Sequence, residues 1–113
     1  MSQITEMAPQ QLVAYNASDL EAFVACYHPE VVVTEGDAVV CEGREAFRER
    51  YRRLFETFEF GGEVPERLDV GDHCVDLEHW WRIDPETGER SEGSILVHYT
   101  LRDDLIGAVR FIR

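Results

Sequence analysis

Apolar positions recur at helical spacing through much of the first half of the chain, and at every second residue through most of the second half. Ile4, Ala8, Leu12 and Tyr15 share one stripe of a helix predicted over Thr5 to Asn16, with Pro9 tolerable only in its first turn. Ser18-Asp19-Leu20-Glu21 has the form of a capping box opening a second helix. The apolar face of that helix is Leu20, Phe23, Val24 and Tyr27, and Pro29 ends it. Val31 to Glu35 and Ala38 to Cys41 read as two strands joined by a turn at Gly36-Asp37. The clearest helix runs from Arg44 to about Phe58, where Phe47, Tyr51, Leu54, Phe55 and Phe58 recur on one face. Arg44, Arg48, Arg52 and Arg53 lie with Glu45 and Glu49 on its wet side.

Everything after Gly61-Gly62 reads as strand and turn. From Val75 onward, Leu77, His79, Trp81 and Ile83 fall on one face, with Asp76, Glu78, Trp80 and Arg82 on the other. Turn chemistry at Asp84 to Glu89 and at Arg102-Asp103-Asp104 separates the strands Ser94 to Leu101 and Leu105 to Ile112. The predicted order is α-α-β-β-α followed by a meander of three or four strands. Three helices then pack on one face of a curved, mostly antiparallel sheet, an α+β architecture in a single domain over residues 1–113.

Charge narrows the possible partners. The 113 residues carry 23 acidic side chains against 11 basic ones, a net charge of −12, and that field repels nucleic acid. Every basic residue is arginine, so lysine Schiff-base chemistry is excluded. No apolar run reaches the ~20 residues of a membrane span and the N-terminus lacks a secretory pattern, so the expected setting is the cytoplasm, with no membrane partner. Cys26, Cys41 and Cys74 lack metal or redox spacing, and no histidine pair or HExxH pattern marks a metal site. No metal is expected, and no dinucleotide or phosphate-loop motif calls for a cofactor.

Alternation also predicts a concave face. Val31, Val33 and Glu35 share one side of their strand; Val75, Leu77, His79 and Trp81 another; then Ile95, Val97, Tyr99 and Leu101; then Val109 and Phe111. Tyr15, Tyr51 and Phe55 join them from the helices. The polar groups aimed into this cone would be Glu35, His79 and Tyr99, a base with two hydrogen-bonding partners for a carbonyl. Glu35, desolvated there, should have a raised pKa and should lie on the order of 3 to 8 Å from His79. The outer face, with Trp80, Leu96, His98 and Ile112, is more apolar than a monomer tolerates and predicts a homodimer.

The segments Asp19-Leu20-Glu21-Ala22-Phe23, Tyr27-His28-Pro29-Glu30-Val31-Val32-Val33 and Glu42-Gly43-Arg44-Glu45-Ala46-Phe47 resemble the nuclear transport factor 2-like superfamily. The similarity lies in its SnoaL-like polyketide cyclase and ketosteroid isomerase branch, and it extends through the meander. The resemblance implies a cone-shaped fold with one apolar pocket, usually in a homodimer. It also implies a general base on the first strand, where Glu35 stands. The two oxyanion-hole positions of the isomerases fall near Gln11 and Val97, neither of which is an acid. The expected function is proton transfer on an apolar, carbonyl-bearing metabolite, as in isomerisation, cyclisation or dehydration. The alternative is a non-catalytic ligand-binding or dimerisation module of the same fold.

Overall fold

The computed structural model describes residues 3–113. Within them the chain forms α1 (Ile4–Asn16), α2 (Leu20–Val24), β1 (Tyr27–Glu35), β2 (Ala38–Glu42) and α3 (Arg44–Thr57). Four strands follow: β3 (Glu59–Val70), β4 (His73–Ile83), β5 (Arg90–Arg102) and β6 (Leu105–Ile112). The strands lie in the order β2-β1-β6-β5-β4-β3. Neighbours are antiparallel except β1 and β6, which run parallel, so the sheet is mixed, curved and not closed. All three helices pack on its concave side, the α+β cone expected from the sequence. No helix among the described residues is long and apolar enough to cross a membrane.

Local chemistry explains where the elements begin and end. Pro9 sits in the second turn of α1 rather than the first, so the helix loses one backbone bond there. It holds because Ile4, Met7, Ala8, Gln11 and Ala14 are buried against the sheet and α2. The cap of α2 is Asp19, whose carboxylate accepts the Ala22 amide at 3.1 Å; Ser18, one residue earlier, has φ 55 and lies outside the helix. The helix stops at Val24, short of the predicted end, and Tyr27 opens β1 instead of closing α2. Pairing with β6 wins this segment: Cys26 accepts the Ile106 amide at 2.9 Å, and Tyr27 pairs with Ile106. Pro29 is tolerated inside the strand because it falls where that pairing is interrupted, between Tyr27 and Val32.

The core lies between the helices and the closed end of the cone. Phe23 of α2 packs on Tyr27, Phe47, Tyr51 and Phe55, with ring centroids 5.1 to 5.6 Å apart. Phe47, Val31, Val33, Val97 and Ile106 are buried completely or nearly so, each worth about 1.5–3 kcal/mol relative to exposure.

One strand departs from the predicted facing. In β4 the concave residues are Asp76, Glu78, Trp80 and Arg82, while Leu77, His79, Trp81 and Ile83 lie on the convex side. Register fixes this. Directly opposed residues of paired strands share a face, and β5 opposes Val97 to Asp76, Ile95 to Glu78 and Gly93 to Trp80. The more polar row therefore points inward, the reverse of what hydrophobic alternation predicts.

Candidate functional site

A cavity of about 590 Å3 opens between the helices and the concave face. Its floor carries Gln11 from α1, Tyr27 from β1 and Tyr99 from β5, all nearly inaccessible. Along each strand the inward residues become more exposed in one direction: Asp76, Glu78, Trp80, Arg82 on β4 and Val109, Phe111, Arg113 on and just beyond β6. The mouth therefore lies at the Arg82 and Arg113 end. All four tyrosines of the chain, Tyr15, Tyr27, Tyr51 and Tyr99, line this cavity.

At the floor, the Gln11 side chain fixes two of these hydroxyls. Its amide nitrogen donates to the Ala8 carbonyl at 3.0 Å and to the Tyr99 hydroxyl at 3.2 Å. Its oxygen accepts from the Tyr27 hydroxyl at 3.0 Å. Tyr99 thus receives a hydrogen bond, and its own proton remains available to a ligand. Burial pushes the Tyr99 and Tyr27 hydroxyls well above their ordinary pKa, and the Glu78 carboxylate adds to both. They stay protonated, as hydrogen-bond donors must.

Two carboxylates stand on the inward row of β4 in unlike surroundings. Asp76 is 1% exposed and held by both arms of Arg67, its neighbour across β3, at 2.6 and 2.9 Å. The Cys74 thiol donates to the same carboxylate at 3.2 Å, and that contact, after burial, pushes the thiol to about 12. Glu78 faces the cavity beside the tyrosines. Desolvation, with a smaller contribution from Asp76, pushes its carboxyl up to about 7. Glycine makes room for this row: a Cβ at Gly62 would come within 3.0 Å of Oε1 of Glu78, and one at Gly93 within 2.9 Å of the Trp80 ring.

The predicted site residues separate into four groups. Tyr99, Tyr15, Tyr51, Val109 and Phe111 line the cavity. Val33, Phe55 and Val97 are buried in the core behind its wall. His79, Leu77 and Trp81 lie on the convex side, where Nδ1 of His79 meets Oγ of Ser94 at 2.6 Å and Arg90 stacks on Trp81. Glu35, at the last position of β1, stays at the rim bound to Arg113 at 2.9 Å and near Arg50 at 3.8 Å. The Arg113 hydrogen bond lowers its pKa against a smaller opposing effect of desolvation, the reverse of the expected shift. Glu35 and His79 therefore do not converge. Gln11, Glu78, Trp80, Arg50, Arg82 and Arg113 line the cavity without having been predicted. The available signal was the glycines across the sheet from this row: Gly93 makes room for the Trp80 ring and Gly62 for Glu78.

Among the described residues, no three His, Cys, Asp or Glu side chains group as metal ligands. The cavity supplies hydroxyl donors, one carboxyl group that titrates near neutrality, and arginines at its entrance.

Known proteins share this fold. Residues 10–109 match the SnoaL-like domain, and the chain belongs to that family. No curated protein matches it. An uncharacterized cystatin-fold protein of Novosphingobium aromaticivorans shares 26% identity and superimposes with TM-score 0.88 over 100% of this chain and 99% of that one. A computationally designed 17-OHP binder superimposes with TM-score 0.86 at 16% identity, covering 98% of this chain and 92% of that one. A Catenulispora acidiphila protein with a ketosteroid isomerase-like fold, in complex with trimethylamine, gives TM-score 0.80 at 11% identity. That match covers 94% of this chain and 83% of its own. The last two likenesses concern the fold alone.

Proposed function

We propose that the cavity binds an apolar, carbonyl-bearing small molecule and moves a proton next to the carbonyl, as an isomerase, cyclase or dehydratase does. The observation that carries this reading is Glu78: a carboxyl group with a pKa near 7, facing four tyrosine hydroxyls inside a largely aromatic pocket. A carboxyl group raised toward neutrality suits a group that takes a proton in one step and returns it in the next. The Glu78 carboxylate removes the proton from the carbon beside the carbonyl. Tyr99, already accepting from Gln11, donates its hydrogen bond to the oxygen on which negative charge develops. Reprotonation at a second carbon by Glu78 completes an isomerisation without a cofactor. This reading assigns the base to β4 rather than to Glu35.

The test is proton exchange in heavy water with 2-tetralone as probe, followed by NMR. The native protein should accelerate exchange of the acidic protons. Glu78→Gln should reduce that acceleration by about 100-fold or more, and Tyr99→Phe by about 10- to 100-fold. Glu35→Gln should change it little. Binding without accelerated exchange would reject catalysis and favour a ligand-binding module, the role that the designed 17-OHP binder's name gives to that protein.

Self-association through the convex face belongs to the same proposal. Leu96 and Ile112 pair across β5 and β6 and are each 40% exposed, and Leu68 and Val70 at the end of β3 are more exposed still. Trp80 does not contribute, since it lines the cavity. Sedimentation showing only monomer at tens of micromolar protein would remove this element.

A further inference from the structure

The charges at the mouth run against those of the rest of the molecule. Acidic residues outnumber basic ones 23 to 11 over the chain, yet the charged side chains lining the cavity are Arg50, Arg82, Arg113 and Glu78. Most other arginines are engaged: Arg48 by Glu21 and Glu45, Arg52 by Glu49 and Glu56, Arg67 by Asp76, Arg110 by Asp37. At the mouth, Arg50 and Arg113 share the single carboxylate of Glu35, and the Arg50 contact is loose at 3.8 Å. Arg82 forms no ion pair among the described residues. Its guanidinium stacks instead on Trp80, 5.1 Å from the ring, against the cavity wall. Among the described residues the Arg82 guanidinium is therefore left without a carboxylate at the entrance of a strongly acidic protein.

We propose, building on the reading of the cavity as a ligand site, that its ligand carries a carboxylate, which seats at the mouth against Arg82 while its apolar body enters the aromatic pocket. A guanidinium fork matches a carboxylate in two parallel hydrogen bonds, and its planar face tolerates the stacked position of Arg82. The ligand anion supplies the counter-charge that Arg82 lacks among the described residues. Spacing sets the length of the molecule. Arg82 follows Glu78 by four residues on one strand, about 13 Å of backbone. The ligand's carboxylate and its reacting carbon are therefore separated by roughly the length of a two-ring aromatic acid, less what the arginine side chain spans by folding inward.

Matched acid and amide pairs of increasing size test this: phenylacetic, 2-naphthylacetic and 4-biphenylacetic acids with their primary amides. Each is titrated into the isotope-labelled protein near neutral pH, following the Trp80 indole and the tyrosine rings by NMR. At least one acid should bind about tenfold or more tightly than its amide. Arg82→Met should remove most of that preference and leave amide affinity within about twofold. Arg82→Gln repeats the measurement should the first variant fail to fold. Equal or tighter binding of the amides overturns the carboxylate proposal while leaving the ligand cavity standing. So does an equal loss of acid and amide affinity in the variants, which would make Arg82 merely structural. Failure of every acid and every amide to perturb the cavity resonances at roughly 2 mM overturns both the proposal and the reading beneath it.

Discussion

The rim of β1 and the middle of β4 each present a glutamate toward the cone, and the two behave in opposite ways. Glu35 ends its strand, meets water and is held by Arg113, so its carboxylate is favoured and its pKa is lowered. Glu78 lies two positions deeper than Trp80 on β4, with tyrosines about it and Asp76 beside it, so its neutral form is favoured. The same functional group is thus a structural ion-pair partner at one site and a titrating acid at the other. Depth along the strand and the sign of the nearest charge decide which, and neither follows from residue type.

The severest way to disturb this contrast is to remove the charge next to Glu78. Asp76→Asn leaves Arg67 beside a neutral amide in a largely buried setting and should cost about 3 kcal/mol in a urea denaturation at neutral pH. It should also bring the Glu78 midpoint down, because one of the two causes of its elevation is gone. A loss below about 1 kcal/mol would show that Arg67 reaches water readily once Asp76 is neutral.

Glu78→Gln probes the contrast directly. The folded pKa lies near 7 and the unfolded one near 4.3, so the native state binds the proton more tightly. That contribution to stability is complete below the unfolded value and is lost as pH rises through the folded value. The native protein should therefore lose on the order of 3 kcal/mol between about pH 4 and pH 8 relative to the glutamine variant. Parallel stability curves for the two proteins across that range would mean that Glu78 titrates as an exposed acid.

The smallest effect belongs to Glu35→Gln. A depressed pKa stabilises above the unfolded value and ceases to do so as pH falls through the folded one, the opposite sense to Glu78. Surface pairing of this kind contributes little, so the variant's urea denaturation at pH 7 should overlay that of the native protein. A loss of stability would make the Glu35, Arg50 and Arg113 group a clamp holding the sheet edge.

The sequence made the frame of this molecule readable and half of its pocket. Helical spacing in α3 and the paired valines of β1 reflect packing against a dry core, where apolar periodicity is a faithful guide. Tyr99, Val109 and Phe111 were legible for the same reason. β4 was not, because its concave row carries charged side chains. Asp76 is satisfied by a partner on β3 that no local pattern predicts, and Glu78 is tolerated next to empty volume. On β4, whose inward polar groups are satisfied from another strand or by open volume, the rule that places apolar residues inside selects the wrong face, although β5 and β6 obey it around the same cavity. Tyr27 shows a second limit: a long-range strand partner, Ile106, took a residue that local spacing assigned to a helix.

Trp80 and Trp81 are adjacent in sequence, and they are the only tryptophans in the chain. One ring covers Gly93 on the cavity side, and the other covers Gly61 on the convex side. The protein therefore carries two natural fluorophores, each looking out from a different side of one sheet. With Trp81 replaced by phenylalanine, the remaining emission responds to what enters the pocket. With Trp80 replaced, it responds to what covers the outer surface. Ligand uptake and subunit contact, which any single global signal would merge, become optically separable through two neighbouring side chains.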